Sequence, residues 1–175
     1  MNVVSLFSVP VAIINIDRQF TEQELKLFSD IPMWKDQNGQ MTNHRSEELF
    51  LLDNFAELKD IKKFCEHHLE NYLKDVEGVE TNLATLRITQ SWLNKTEPQE
   101  GHHPHHHPNS YLSGVLYIKC LPNDSIQFVN RIKGMFSNME FPIKKYTVWS
   151  SMNIIQKVKA GDLIIFPSWV PHYVA

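Results

Sequence analysis

The sequence predicts an α+β domain in which helices come first and a β-sandwich or barrel follows. Three observations carry this. An apolar stripe at three- and four-residue steps runs from Phe55 to Tyr72. At least six short strand-like segments follow Leu83. The segregation of helical from strand patterns, rather than their alternation, argues against a parallel βαβ sheet.

The elements can be justified in order. Val3 to Ile16, "VVSLFSVPVAIINI", is β-branched and apolar, so it predicts one or two strands with Pro10 at an edge or bend. "TEQELKLFSD" opens with Thr21 and has Glu24 three residues later, a capping-box pattern. It predicts a short helix whose Leu25 and Phe28 face the core. Residues 33–50 are polar and turn-rich and read as a loop. A long helix is expected from Asp53, as its cap, to Asp75, with Phe55, Leu58, Ile61, Cys65, Leu69 and Tyr72 forming its buried stripe and Gly78 its stop. His67 and His68 lie on that helix and read as solvated polar groups. The strands predicted next are in Leu83 to Asn94, Tyr111 to Cys120, "SIQFVN", "KYTVWS", "NIIQKV" and "GDLIIF". The last begins at a Gly-Asp turn, and a second turn at Pro167 brings the chain to His172.

Composition narrows the function. The chain has 175 residues, 42% of them apolar and 21% charged, which suits one soluble domain with a real core. Net charge is -3 and no basic run occurs, so nucleic acid is not indicated as a partner. No apolar stretch is long enough to cross a bilayer, and no secretory leader pattern opens the chain, so a cytoplasmic location is expected. Cys65 and Cys120 are unpatterned and read as buried thiols of a reducing compartment.

Five of the nine histidines fall between His102 and His107. On a strand, residues two apart share a face, so His105 and His107 project together and His106 points away. Neutral imidazole suits iron, zinc, copper and nickel, and a metal needs a further, remote ligand. His172, at the end of the last strand and its turn, is the candidate third ligand. His102, His103 and His106 read as solvated loop residues, and Trp92, Trp149 and Trp169 as core aromatics.

These residues also carry a resemblance. Trp92 and Asn94, Gly101, His105 to Ser110 ("HHHPNS"), Leu112 to Tyr117 ("LSGVLY") and Gly161 to His172 ("GDLIIFPSWVPH") occur in the order found in the 2-oxoglutarate/iron(II) oxygenase family. The opening "LFSVPV" resembles that family's first strand. The resemblance implies a double-stranded β-helix (jelly roll, cupin-like) with supporting helices, as a single domain over residues 1–175. It implies Fe(II), with 2-oxoglutarate as cosubstrate, and oxidative decarboxylation coupled to hydroxylation of an unidentified small molecule or peptide. Metal ligands would be His105, His107 and His172, and Asn109, Ser113 and Tyr117 would line the cosubstrate pocket. Turn capping by Asn109 and core packing by Tyr117 are equally good readings of those two.

The chain departs from the wider superfamily in two ways. That superfamily holds iron with His-x-Asp/Glu and a distal histidine, whereas His107 stands at the carboxylate position here. Three histidines, two histidines and water, or a carboxylate from elsewhere such as Asp124 would complete the site. The superfamily also carries an arginine or lysine one strand beyond the distal histidine, to pair with the far carboxylate of 2-oxoglutarate. The expectation is therefore that this chain lacks the last strand and binds 2-oxoglutarate weakly, with Arg87 as the nearest substitute. It is also expected to leave an open sheet edge beside Gly161 to Phe166, which a second copy of the chain could cover. Two other readings stand beside the oxygenase: a non-catalytic cupin-like metal-binding protein, and a three-histidine metal dioxygenase that does not use 2-oxoglutarate.

Overall fold

The computed structural model describes residues 1–35, 43–131, 133 and 142–174. Its strands are β1 (Ala12–Asn15), β2 (Met33–Lys35), β3 (His44–Ser46), β4 (Asn94–Lys95), β5 (His102–His105), β6 (Leu112–Leu116), β7 (Ser125–Val129), β8 (Asn153–Lys157), β9 (Asp162–Pro167) and β10 (His172–Val174). The helices are α1 (Glu22–Asp30), α2 (Leu51–Asn54) and α3 (Lys59–Asn71). The strands form three antiparallel sheets, ordered β1-β9-β6, β5-β10-β7-β8 and β2-β3-β4.

Strand β9 organises the interior. Every one of its residues is buried, because its alternating side chains enter two different cores. Leu163 and Ile165 meet Leu58, Ile61, Cys65 and Tyr72 from the helices. Ile164 and Phe166 meet Ile126 and Phe128 of β7 in the facing sheet. The result is three layers: helices, the β1-β9-β6 sheet, and the β5-β10-β7-β8 sheet. β9 enters at Gly161, whose φ of +88° is a conformation open to glycine; a Cβ there would come 2.9 Å from the Asn15 side chain.

The first helix forms with both halves of its capping box. Thr21 Oγ1 accepts from the Glu24 amide, and Glu24 Oε2 accepts from the Thr21 amide. Its core face is set by Leu27 and Phe28, and Leu25 is exposed rather than buried. The expected long helix is broken into α2, a 3-10 turn over Ala56–Leu58, α3, and a π turn over Tyr72–Val76. Asp53 caps nothing there; it lies within α2 and pairs with Lys62 at 2.6 Å. The stripe holds despite the break, since Phe55, Leu58, Ile61, Cys65, Leu69 and Tyr72 all join the helix-side core. Gly78, at φ +68°, follows the π turn.

Several strand expectations are corrected. Only Ala12–Asn15 of Val3 to Ile16 pairs as a strand. Leu83 to Asn94 is irregular apart from a bridge at Ser91 and the start of β4, because its partner β3 is only three residues long. "KYTVWS" forms no strand: the Thr147 carbonyl accepts from the amides of Ser150 and Ser151, and the Thr147 amide donates to Ser150 Oγ, which draws the backbone into a turn. The segment read as a loop supplies β2 and β3 at its two ends, and its residues 36–42 lie outside the described residues. β9 is flanked by β1 and β6, so no open edge lies beside it; β1 and β6 are the outer strands of its sheet. Among the described residues, no helix is long and apolar enough to cross a membrane.

Candidate metal centre

The histidines are positioned by the pairing of β10. His172 is its first residue and lies opposite His105 of β5 on one side and Phe128 of β7 on the other. Phe128 belongs to the core between the two large sheets, so cross-strand neighbours on its face, His172 and His105, also point inward. The turn from Ser168 to Pro171 carries the chain from β9 into β10, closed by the Val170 amide donating to Pro167 O at 3.0 Å. The same turn fixes His107, whose amide donates to Ser168 O at 3.0 Å.

One ligand atom from each of His105, His107 and His172 lies within 4.8 Å of the other two. Nitrogens about 2.1 Å from one ion sit about 3 Å apart when cis on an octahedron, so the trio is gathered on the scale of a single-ion site. Among the described residues, the group contains no aspartate or glutamate. Asp124 is engaged elsewhere, accepting the Leu121 amide at 2.7 Å in the turn before β7.

Protonation and tautomer both suit ligation. Burial lowers the pKa of His107 and of His172 to about 4, and lowers that of His105, in each case with further lowering from neighbouring imidazoles. All three rings are neutral at pH 7. His172 Nδ1 lies 3.1 Å from Val170 O and His105 Nδ1 2.8 Å from His103 O. A carbonyl only accepts, so Nδ1 carries the proton in both rings and the Nε2 lone pairs are free. Backbone carbonyls thus hold the two imidazoles in a ligand-ready tautomer.

Around the trio stand Phe166, 4.7 Å from His172 between ring centroids, and Trp92, 5.9 Å from His107. His102 is a further neighbour that its expected solvated role did not foresee. It is half-buried, its ring lies 4.0 Å from that of His105, and burial with the adjacent imidazoles lowers its pKa to about 3. The cause is a register shift: His172 and Val174, two apart on β10, face His105 and His102, three apart on β5. The extra residue turns His102 toward the side of His105. Pro104, which has no amide to donate, falls inside that irregularity. Strict two-residue parity cannot reveal this; the proline within the histidine run is the local signal.

The remaining sequence candidates separate. Ser113 lies on β6 opposite Phe166, and its hydroxyl is 2.8 Å from that of Ser168. Tyr117 packs in the core between the large sheets, and among the described residues its buried hydroxyl has no hydrogen-bond partner. It follows Ser113 by four residues, about 13 Å along an extended chain. Asn109 is exposed in a turn at φ +61°. Arg87 is exposed on the irregular stretch before β4. Trp169 and Trp149 are exposed as well, so neither is a core aromatic. The third sheet contributes residues that the loop reading of residues 33–50 left unseen, including Arg45 and Asn43.

Comparison with known families places a match on the part of the chain that holds these histidines. The family model described as "Putative 2OG-Fe(II) oxygenase" matches residues 90–175, just under half of the chain. No curated protein matches the chain at a significant level.

Proposed function

We propose, from the premise that residues 90–175 belong to the 2OG-Fe(II) oxygenase family, that this chain is a non-haem Fe(II), 2-oxoglutarate-dependent oxygenase acting as a hydroxylase. The two large sheets are read as the halves of a double-stranded β-helix, with the helices on the outer face of one, in a single domain over residues 1–175. The observation that carries the reading is the gathering of three neutral imidazoles, from β5, the segment after it and β10, inside the matched segment.

His105, His107 and His172 would hold the iron, with Nε2 presented by the first and third. When bound, Fe(II) and 2-oxoglutarate would supply the chemistry with dioxygen as the oxidant, one oxygen atom going to the cosubstrate as it decarboxylates to succinate and the other to a substrate C–H bond. The chain's own contribution is positional. Phe166 walls the site on the side of the core and keeps water from His172. Tyr117 offers a buried hydroxyl with no protein acceptor, a suitable donor to a carboxylate reaching into the space between the sheets. The Ser113 and Ser168 hydroxyls lie at the Phe166 end of β9, with Tyr117 at its other end, and leave one proton of the pair free to donate.

The absence of a carboxylate from the donor set, among the described residues, favours a second reading: a three-histidine metal protein that does not use 2-oxoglutarate, whether dioxygenase or non-catalytic binder. Anaerobic titration of the protein with Fe(II) and then 2-oxoglutarate separates them. The oxygenase reading expects a visible metal-to-ligand charge-transfer band that is lost in His172→Ala. Metal uptake without that band supports the second reading and overturns the first.

A further inference from the structure

The third sheet carries a polar face that neither the fold nor the metal centre uses. Met33 and Leu93 pack into the helix-side core. Met33 pairs with Ser46, and the Ser46 amide donates to Leu93 O at 2.9 Å, so these three residues share the core side of the sheet. Their sequence neighbours Trp34, Arg45, Asn94 and Trp92 fall on the opposite side. Arg45 is the register partner of both Trp34 and Asn94. Asn43, 2% exposed, approaches this side too, its Nδ2 lying 3.5 Å from Asn94 Oδ1. Trp92 reaches from the same side to His107.

Arg45 stands out on this face. Its guanidinium carbon lies 4.9 Å from the centre of the Trp34 ring. Among the described residues, its Nε is buried without a hydrogen-bond partner, and Oδ1 of the nearby Asn43 is in the same condition. The other cations of the sheet are neutralised: Lys35 pairs with Glu100, and Lys95 with Glu97. Among the described residues, Arg45 pairs with no carboxylate. A buried guanidinium N–H without an acceptor is costly, and the Nε–Nη edge that carries it matches two oxygens of a carboxylate in the bidentate manner.

We propose that the Arg45 face, with Asn43 and Asn94, is a recognition site for an anionic carboxylate on a molecule brought to the histidine centre. The Trp34 ring beneath the guanidinium limits its rotation. Trp92 shares this side of the sheet and its ring lies 5.9 Å from that of His107, which joins the Arg45 face to the histidine centre. The proposal deepens the oxygenase reading, which supplies the neighbouring reactive centre. The carboxylate could belong to the substrate or to 2-oxoglutarate, and both sources present the same chemistry to Arg45.

The test has a metal-free arm that stands apart from the iron chemistry. Protein stripped on chelating resin is titrated with sodium succinate at constant ionic strength, following the Arg45 Nε–H and the Asn94 side-chain NH2 signals by NMR. Saturable shifts are expected, with affinity at least tenfold weaker in Arg45→Gln. Asn94→Asp, an exposed position that places a negative charge opposite Arg45, should weaken binding equally and remains usable if Arg45→Gln does not fold. In the second arm the Fe(II)-loaded protein is titrated with 2-oxoglutarate. A tenfold or larger loss in Arg45→Gln assigns the carboxylate to 2-oxoglutarate, and an unchanged affinity beside lost succinate binding assigns it to the substrate. Non-saturating shifts in the wild type, or equal succinate affinity in wild type and variants, overturn the proposal. Failure of iron binding alone would sink the oxygenase reading and leave the metal-free result to decide this one.

Discussion

A single side chain, His172, joins several parts of this molecule. It is buried, faces His105 across one strand pair and Phe128 across the other, and takes its tautomer from Val170 O. Replacing it with Ala should reduce Fe(II) affinity at least a hundredfold, measured by competition with a chelating dye. His102→Ala should change affinity much less, because its ligand atoms fall outside the group formed by His105, His107 and His172. The depressed pKa values also predict a pH profile. An unfolded histidine titrates near 6.5, whereas folded His107 and His172 titrate at about 4. Below about pH 6.5 the unfolded chain binds more protons than the folded one. Stability of the metal-free protein should therefore be full above that pH and decline as pH falls toward about 4. Thermal unfolding at several pH values would show this, with a shallower decline in His172→Gln.

Local signals were legible at the scale of elements, and pairing between distant segments was not. The capping box of α1 involves residues three apart and forms as its sequence reads. Thr21→Ala should cost about 1 kcal/mol, seen in the denaturant midpoint. The helical stripe survived a break in the helix because each apolar residue still found the same core. Leu58, 1% exposed, is its best-buried member, so Leu58→Ala should cost about 2–5 kcal/mol, and half-buried Leu69→Ala less. The gathering of His105, His107 and His172 was legible as well, since two of them are two residues apart and the third follows a Gly-Asp strand and a proline turn. The third sheet was hidden because residues 33–50 are polar and its strands are two or three residues long. No period develops over so short a span. The turn of His102 toward His105 was hidden for another reason: a bulge breaks the alternation on which any parity argument rests.

At the scale of the whole molecule, the candidate centre links the layers. His105 and His172 stand on one large sheet, and His107 is tied by its amide to Ser168, just beyond β9 of the other. A bound ion should therefore stabilise both sheets together. At a free Fe(II) concentration a hundred times Kd, the gain is about 2.7 kcal/mol. Anaerobic thermal scans should show a single transition moving upward with iron in the wild type and standing still in His172→Ala. Two separate transitions, with only one of them responding, would show that the layers melt independently.

The placement of β9 also has a consequence in time. Its neighbour β1 lies near the other end of the chain, and the Asn15–Asp162 contact spans 147 positions. During synthesis at about 5–20 residues per second, β1 emerges roughly 7–30 s before the strand it pairs with. For that interval Ala12–Asn15 has no β9 to cover it, and the apolar stripe of α3, which is made later, waits roughly 5–20 s. Loop closure over such a distance is slow even for a finished chain. The strand that unites both cores is thus also the one for which both must wait.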